Sequence, residues 1–126
     1  MALALIAIET TLAIVRLPPG AGLPWWAAAS AFLSLTSTPD ETSIVCEERR
    51  VPEDISAERG YRALRVRGRL PLEATGVLAS LADPLAAARI PIFAVSTYDT
   101  DYILVPGDRL TRAVEALRKA GHSVTE

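Results

Sequence analysis

Cysteine and histidine are almost absent from the 126-residue sequence, which contains one of each. A single cysteine, Cys46, cannot form an internal disulfide, so we expect a reducing compartment and a cytoplasmic location. A single histidine, His122, provides neither a catalytic triad nor a set of transition-metal ligands. The sequence also lacks a Gly-x-x-x-x-Gly-Lys loop and a Gly-x-Gly-x-x-Gly turn. These absences predict a protein that is not an enzyme and binds no metal and no cofactor.

An excess of basic residues and a long apolar run are also missing. The formal net charge of −2 gives no positive field to hold a polyphosphate, so nucleic acid is not an expected partner. The N-terminal apolar run has no basic residue before it and is interrupted by Glu9. A membrane-spanning helix needs about 20 apolar residues. We therefore expect no membrane partner and no targeting signal, and half of the residues being hydrophobic predicts a globular fold.

An internal repeat organises the sequence. Residues 32–45 read FLSLTSTPDETSIV and residues 92–105 read IFAVSTYDTDYILV. Aligned without a gap at a spacing of 60 residues, both give an apolar strand, hydroxyl residues, a polar turn and a second apolar strand. In this alignment Glu41 falls on Asp101. The match in physical character predicts a duplicated hairpin.

The second half, residues 61–126, predicts a βαββαβ unit. Leu64, Val66 and Leu70 alternate with arginines, which is typical of a strand with one buried face. Two segments with helical spacing follow, one before the hairpin and one after it. Thr75 and Asp108 are the predicted N-caps of these helices. Pro84 removes one hydrogen bond from the interior of the first helix.

The first half, residues 1–60, predicts a shorter βαββ unit followed by a turn-rich connector. Its helix begins near Pro24 with two adjacent tryptophans, Trp25 and Trp26. Adjacent side chains on a helix cannot both face one core, so one of them is expected to point elsewhere. The predicted fold class is α+β, with antiparallel sheets and helices on one face.

The same segments resemble a known family. IFAVSTYDTDYILVPGDRLTRAVEALRKAGH (92–122) resembles the C-terminal part of ACT domains, and the likeness extends through 15–26, 32–48 and 76–93. It is similar in particular to bacterial proteins with two ACT-like halves, whose relatives include the CASTOR-type arginine sensors. The resemblance implies two ferredoxin-like ACT-type units, a regulatory role, and a free amino acid bound between the two halves.

The resemblance also implies ligand-binding positions. Carried over residue by residue, they are Ser43, Ile44 and Val45 in the first half and Thr75, Gly76, Val77, Leu78, Thr97, Tyr98 and Asp101 in the second. Ala74 stands where the arginine sensors have an acidic residue, with Glu73 one place earlier, which puts arginine itself in doubt as the ligand.

Elementary chemistry supports part of this set. Gly76 opens a helix, so the first N–H groups of that helix suit a carboxylate. Glu41 or Asp101 would accept hydrogen bonds from an ammonium group, and the hydroxyls of Ser43 and Thr97 would donate or accept. Each of these residues has an alternative role that stays open: Gly76 as the start of the helix alone, Glu41 and Asp101 as turn residues, and Ser43 as a core hydroxyl.

Two functions from different classes follow. The first is an amino-acid sensor that acts on a separate, unidentified protein partner. The second is a structural or protein-interaction module that has lost its ligand. Free sheet edges predict a homodimer in either case.

Overall fold

The computed structural model describes residues 1–126. Its strands are β1 Ala4–Ala7, β2 Leu12–Leu17, β3 Leu33–Ser37, β4 Thr42–Glu47, β5 Glu58–Val66, β6 Phe93–Ser96, β7 Asp101–Pro106 and β8 Ser123–Thr125. Its helices are α1 Trp25–Ala28, α2 Val77–Ala87 and α3 Leu110–Lys119, with 3₁₀ turns at Glu48–Arg50 and Gly107–Arg109. Antiparallel strand pairs predominate, so the predicted α+β class is confirmed. None of the helices has both the length and the apolarity that crossing a membrane requires.

The chain divides into two compact units. Residues Met1–Glu9 and Arg62–Glu126 form one, here the C-terminal unit, and Thr10–Tyr61 form the other, here the inserted unit. The sequence predicted halves at 1–60 and 61–126, so the structure moves the first nine residues into the C-terminal unit. The physical reason is strand pairing, because β1 pairs antiparallel with β5 and parallel with β8.

The C-terminal unit is a sheet covered by two helices. Its strands run in the order β6-β7-β5-β1-β8. Leu81 and Leu85 of α2 and Leu117 of α3 are almost fully buried in one apolar cluster with Leu5 and Leu64 of the sheet. Burying each such side chain stabilises the fold by roughly 1.5–3 kcal/mol relative to leaving it exposed. This cluster holds α2 against the sheet.

Helix α2 continues through Pro84. The side chain of His122 contacts the backbone carbonyl to which the proline cannot donate a hydrogen bond. A proline has no N–H, so it cannot donate to the carbonyl of Ser80, four residues earlier. The Nε2 atom of His122 lies 2.9 Å from that carbonyl oxygen. The Nδ1 atom of the same ring accepts a hydrogen bond of 3.0 Å from the N–H of Leu3. One neutral tautomer, protonated at Nε2, satisfies both contacts.

His122 is buried, and both of its ring nitrogens contact backbone groups. Its ring connects the start of β1 to the first turn of α2, which explains its burial at the end of the chain.

The helix starts differ from prediction. The N-cap of α2 is Gly76, and no side chain caps it, so the expected cap at Thr75 is wrong. The N-cap of α3 is Arg109, again without a side-chain hydrogen bond, because Asp108 lies within the preceding 3₁₀ turn. In both cases the helix begins one residue later than the N-cap preferences of the side chains predict.

The inserted unit has its own small core. Its strands run in the order β3-β4-β2-β5, so that β5 contributes to both units. Trp26 is buried with Ile44 and Cys46, whereas Trp25 is 83% exposed. The prediction that the two tryptophans face different ways is confirmed. The buried Cys46 is a free thiol whose pKa is raised, mainly by burial and also by the charge of Glu47.

Candidate functional site

The two hairpins close with the same turn. The N–H of Thr97 donates to the carbonyl of Thr100 at 2.8 Å, and the Thr97 hydroxyl reaches the same oxygen at 3.1 Å. In the inserted unit, Thr38 makes both contacts with the carbonyl of Glu41, at 3.0 and 3.3 Å. The strand registers agree, since Ser96 pairs with Asp101 as Ser37 pairs with Thr42. The duplicated hairpin is therefore present.

The spacing of the repeat is 59 residues, and the alignment at 60 is wrong by one position. Glu41 is equivalent to Thr100, and Asp101 is equivalent to Thr42. The side chain of Glu41 faces Arg16, with 3.9 Å between the charged atoms, in an exposed ion pair. Glu41 and Asp101 are therefore not at equivalent positions of the repeat, so the repeat does not support the same ligand-binding role for both.

A cavity of about 300 Å³ lies within the C-terminal unit, between the start of α2 and the second hairpin turn. Its lining comprises Leu70, Pro71, Leu72, Ala74, Gly76, Val77, Leu78, Ala79, Ser96, Thr97, Tyr98, Asp99, Thr100 and Asp101. Three consecutive stretches of chain supply these residues: the loop after β5, the first turn of α2 and the turn between β6 and β7.

The first turn of α2 brings backbone N–H groups to the cavity. Gly76 has φ of 80°, a left-handed conformation that glycine adopts without strain. A side chain at this position would meet no atom within 4 Å, so backbone conformation and not crowding requires the glycine. The first helical hydrogen bond runs from Ser80 to the carbonyl of Gly76 at 3.0 Å. The N–H groups of the residues between them lie at the positive end of the helix dipole.

The hairpin turn brings two carboxylates with different surroundings. Asp99 forms an exposed ion pair with Arg69 at 3.0 Å, and its carbonyl accepts from the N–H of Leu70 at 2.7 Å. Asp101 accepts a hydrogen bond of 2.6 Å from the hydroxyl of Ser96 and has no cationic side chain within 4.0 Å. Asp99 therefore shapes the turn and anchors the loop after β5, while Asp101 keeps an uncompensated charge.

Six of the eleven predicted ligand residues meet in this cavity. They are Gly76, Val77, Leu78, Thr97, Tyr98 and Asp101. Thr75 directly precedes this group without lining the cavity. The loop residues Leu70 to Leu72 were missed, and no periodicity or turn signal in the sequence could have found them.

The other four predicted residues lie in the inserted unit. Glu41 is at the hairpin turn, and Ser43, Ile44 and Val45 are in β4, which is hydrogen-bonded to β2 on one side and β3 on the other. The side chains of Ile44 and Val45 are buried. Their role in ligand binding stays a prediction.

A buried carboxylate elsewhere in the inserted unit was also missed. Glu47, at the end of β4, accepts a 2.7 Å hydrogen bond from the N–H of Ala31 and pairs with Arg49 at 3.2 Å. The Ala31 hydrogen bond, assisted by the neighbouring arginines, lowers the pKa of Glu47 below its ordinary value even though burial acts in the opposite direction. The contacts tie the loop after α1 to β4, which is a structural role.

Two family models and a solved structure match this chain. Residues 56–119 match the family model described as the ACT domain, and residues 10–54 match a second model described only as an N-terminal domain. A crystal structure of a protein from Agobacterium tumefaciens is similar over 98% of this chain and 92% of its own, with 35% identity and a TM-score of 0.91.

Regulatory proteins are also similar. The cytosolic arginine sensor for mTORC1 subunit 1 from Bos taurus is 32% identical over 97 residues, which is 71% of this chain but 30% of the sensor. This chain thus spans less than a third of that relative. The regulatory subunit of aspartate kinase from Thermus thermophilus shares the fold, at 12% identity and a TM-score of 0.58, over 94% of this chain and 93% of its own. These matches are to regulatory and sensor proteins.

Proposed function

Because the chain belongs to the ACT domain family, we propose that it is a regulatory protein that binds a free amino acid in the cavity of the C-terminal unit. The observation that carries the proposal is the composition of that cavity, which combines helix N-terminal N–H groups with the unpaired carboxylate of Asp101. A similar protein is named as an arginine sensor, which supports an amino acid as the class of ligand.

An amino acid has two charged groups, and the cavity lining offers a candidate partner for each. The N–H groups of Val77, Leu78 and Ala79 would bind the α-carboxylate, since they lie at the positive end of the α2 dipole. Asp101 would bind the ammonium group through charge-assisted hydrogen bonds. The hydroxyl of Thr97 is engaged with Thr100 within the hairpin turn, so it shapes the cavity lining and is not a free donor to the ligand. The protein would act by binding and not by catalysis.

A thermal-shift screen against the twenty amino acids tests the proposal. A ligand present at 100 times its dissociation constant stabilises the folded state by about 2.7 kcal/mol, which raises the unfolding temperature by several degrees. Asp101→Asn should abolish the shift. Asp83→Asn, which removes an exposed acid on α2 away from the cavity lining, is the matched control and should retain it.

An absence of any shift would overturn the proposal. The alternative function, a structural or protein-interaction module, would then be favoured. One observation on the inserted unit supports it, namely the 83% exposure of Trp25. Large exposed aromatic side chains are enriched where proteins contact each other. A separate protein partner is proposed under both functions.

Self-association by sheet edges is a further part of the proposal. In the C-terminal unit β6 pairs only with β7, and β8 pairs only with β1, so each leaves one edge unpaired. Such edges can pair with those of a second copy. Light scattering should give the mass of a homodimer, and a monomer at micromolar concentration would contradict this.

A further inference from the structure

A groove of about 360 Å³ lies between α2 and α3 in the C-terminal unit. Its lining consists of Pro84, Ala87, Ala88, Ala116, Lys119 and Ala120. None of these residues lines the cavity at the first turn of α2. Lys119, the only lysine in the sequence, is the single charged residue of the lining. The groove is therefore a second concave surface, with apolar walls and one cation.

Two arginines are fixed beside the groove, at the C-terminal end of α2. The guanidinium of Arg112 donates to the carbonyl of Ala88 at 2.6 Å, and that of Arg109 donates to the carbonyl of Arg89 at 3.2 Å. These contacts stabilise the end of the helix. A guanidinium has five N–H donors, so each arginine keeps donors for a further acceptor.

The basic residues around the groove have no acidic partner. No ion pair within 4.0 Å is formed by Arg89, Arg109, Arg112 or Lys119. The groove lining also excludes the acids that are near them in sequence, Asp83, Asp108 and Glu115. The rim of the groove therefore has local positive charge, although the net charge of the chain is −2. Such a surface attracts a partner of opposite charge.

The positions of two cations on α3 indicate the shape of that partner. Arg112 and Lys119 are seven residues apart on this helix, which corresponds to about 10.5 Å along its axis. Two acidic residues seven positions apart on a second helix have the same spacing. Apolar residues between them would pack on the groove floor, as in other helix-in-groove complexes.

Other occupants fit the groove less well. A symmetric contact between two copies of this chain would bring the basic rim of one copy against that of the other, and like charges oppose such a contact. Nucleic acid would pair with the cations but leave the apolar lining uncovered.

We propose that this groove binds an acidic amphipathic helix of a partner protein, with apolar side chains on the groove floor and carboxylates paired with Arg112 and Lys119. This inference specifies the protein partner that accompanies the proposed function. It does not rest on the amino-acid ligand, since the groove and the cavity share no residue.

Fluorescence anisotropy of labelled peptides with the full chain tests the inference. The first probe is a peptide of about 15 residues, long enough to form a helix, with a leucine face flanked by glutamates. The second probe has lysine in place of each glutamate, and the third has serine in place of each leucine. The first should bind at least about tenfold more tightly than the other two, and less tightly as salt is added. Failure of the first probe to bind, or equal binding of either other probe, would overturn the inference.

Reversal of one charge locates the binding surface. Lys119→Glu changes an exposed residue that forms no ion pair, so the fold should be retained. Affinity for the first probe should fall by up to about tenfold at low ionic strength. The matched control is Arg67→Glu, which makes the same change in net charge at an exposed position outside the groove and the cavity. Equal weakening by both variants would contradict binding in the groove.

A bulky side chain in the groove provides a test independent of charge. Ala87 and Ala86 are exposed neighbours on α2, and only Ala87 lines the groove. Ala87→Trp should abolish binding of the first probe, whereas Ala86→Trp should retain it. Both variants should retain any thermal shift with an amino acid, so a failure here is distinguishable from a failure of the proposed function. Unchanged binding in Ala87→Trp would overturn the inference. A dimer that this variant alone converts to a monomer, as measured by light scattering, would assign the groove to a second copy and also overturn it.

Discussion

Replacement of His122 should destabilise the C-terminal unit through two orphaned backbone groups. His122→Ala leaves the N–H of Leu3 and the carbonyl of Ser80 without their observed partners. A buried backbone group left unpaired costs about 1–3 kcal/mol, and these two groups are partly buried, so the lower end of that range applies to each. The free energy of unfolding should therefore fall by about 2–3 kcal/mol. Because Pro84 cannot supply the missing donor, α2 has no way to compensate within the helix.

Combining His122→Ala with Pro84→Ala tests whether His122 replaces the hydrogen-bond donor that the proline lacks. In a Pro84→Ala background, position 84 gains an N–H that can donate to the carbonyl of Ser80 in the usual helical manner. The cost of His122→Ala should then be smaller by about 1 kcal/mol, since only the Leu3 N–H stays unpaired. His122→Phe, which retains a ring without hydrogen bonds, separates the hydrogen-bond loss from the loss of packing.

Urea unfolding followed by far-ultraviolet circular dichroism measures these changes. The helical signal reports mainly on the C-terminal unit, which contains α2 and α3, whereas both tryptophans lie in the inserted unit and would report on the wrong part. A cost for His122→Ala below about 0.5 kcal/mol, typical of a surface substitution, would refute the role of the ring. An equal cost with and without Pro84 would refute the link between the two residues.

Three further outcomes follow from the structure. Gly76→Ala should reduce the free energy of unfolding by about 1 kcal/mol and lower the unfolding temperature by a few degrees. The reason is that φ of 80° strains any residue with a side chain, even though no atom crowds this position. An unchanged unfolding temperature would contradict this. Glu47 has a lowered pKa in the folded state, so its contribution to stability is present above its ordinary value of 4.5 and is lost as the pH falls below it. Glu47→Gln should therefore lose less stability than the native protein on acidification, as measured by urea unfolding at pH 7 and at acid pH; parallel losses would argue against it. The Cys46 thiol, buried and with a raised pKa, should react with a thiol reagent far more slowly in the folded protein than in urea, and equal rates would contradict its burial.

The one-residue error in the repeat has a physical cause. Strand β4 is buried on both faces over most of its length and β7 over its three central residues, so each strand contains a continuous apolar run in the sequence. A shift of one residue in such a run does not change its apolar character, unlike in a strand with alternating faces. The turn hydrogen bonds of Thr38 and Thr97, together with the registers of the two strand pairs, identify the equivalent positions.

The helix caps illustrate a second limit. Thr75 and Asp108 have the side chains that favour an N-cap, but each lies one residue ahead of the observed cap. The left-handed turn at Gly76 and the 3₁₀ turn before α3 set the start of each helix instead. N-cap propensity therefore predicted the start of each helix to within one residue, while the backbone conformation of the preceding turn set the residue at which the helix begins.

The sequence by itself determined the α+β class, the duplicated hairpin and the different orientations of the two adjacent tryptophans, because periodicity and turn chemistry are local properties. Six residues that line the cavity were predicted from the resemblance to ACT-type proteins. Tertiary structure alone decided the rest. It placed β1 beside β5 and β8, used His122 to replace the donor that Pro84 lacks, and brought the loop after β5 to the cavity. These contacts join residues that are far apart in the chain. A local sequence pattern cannot predict which distant group will pair with a strand edge, bond an unpaired carbonyl or pack against a loop.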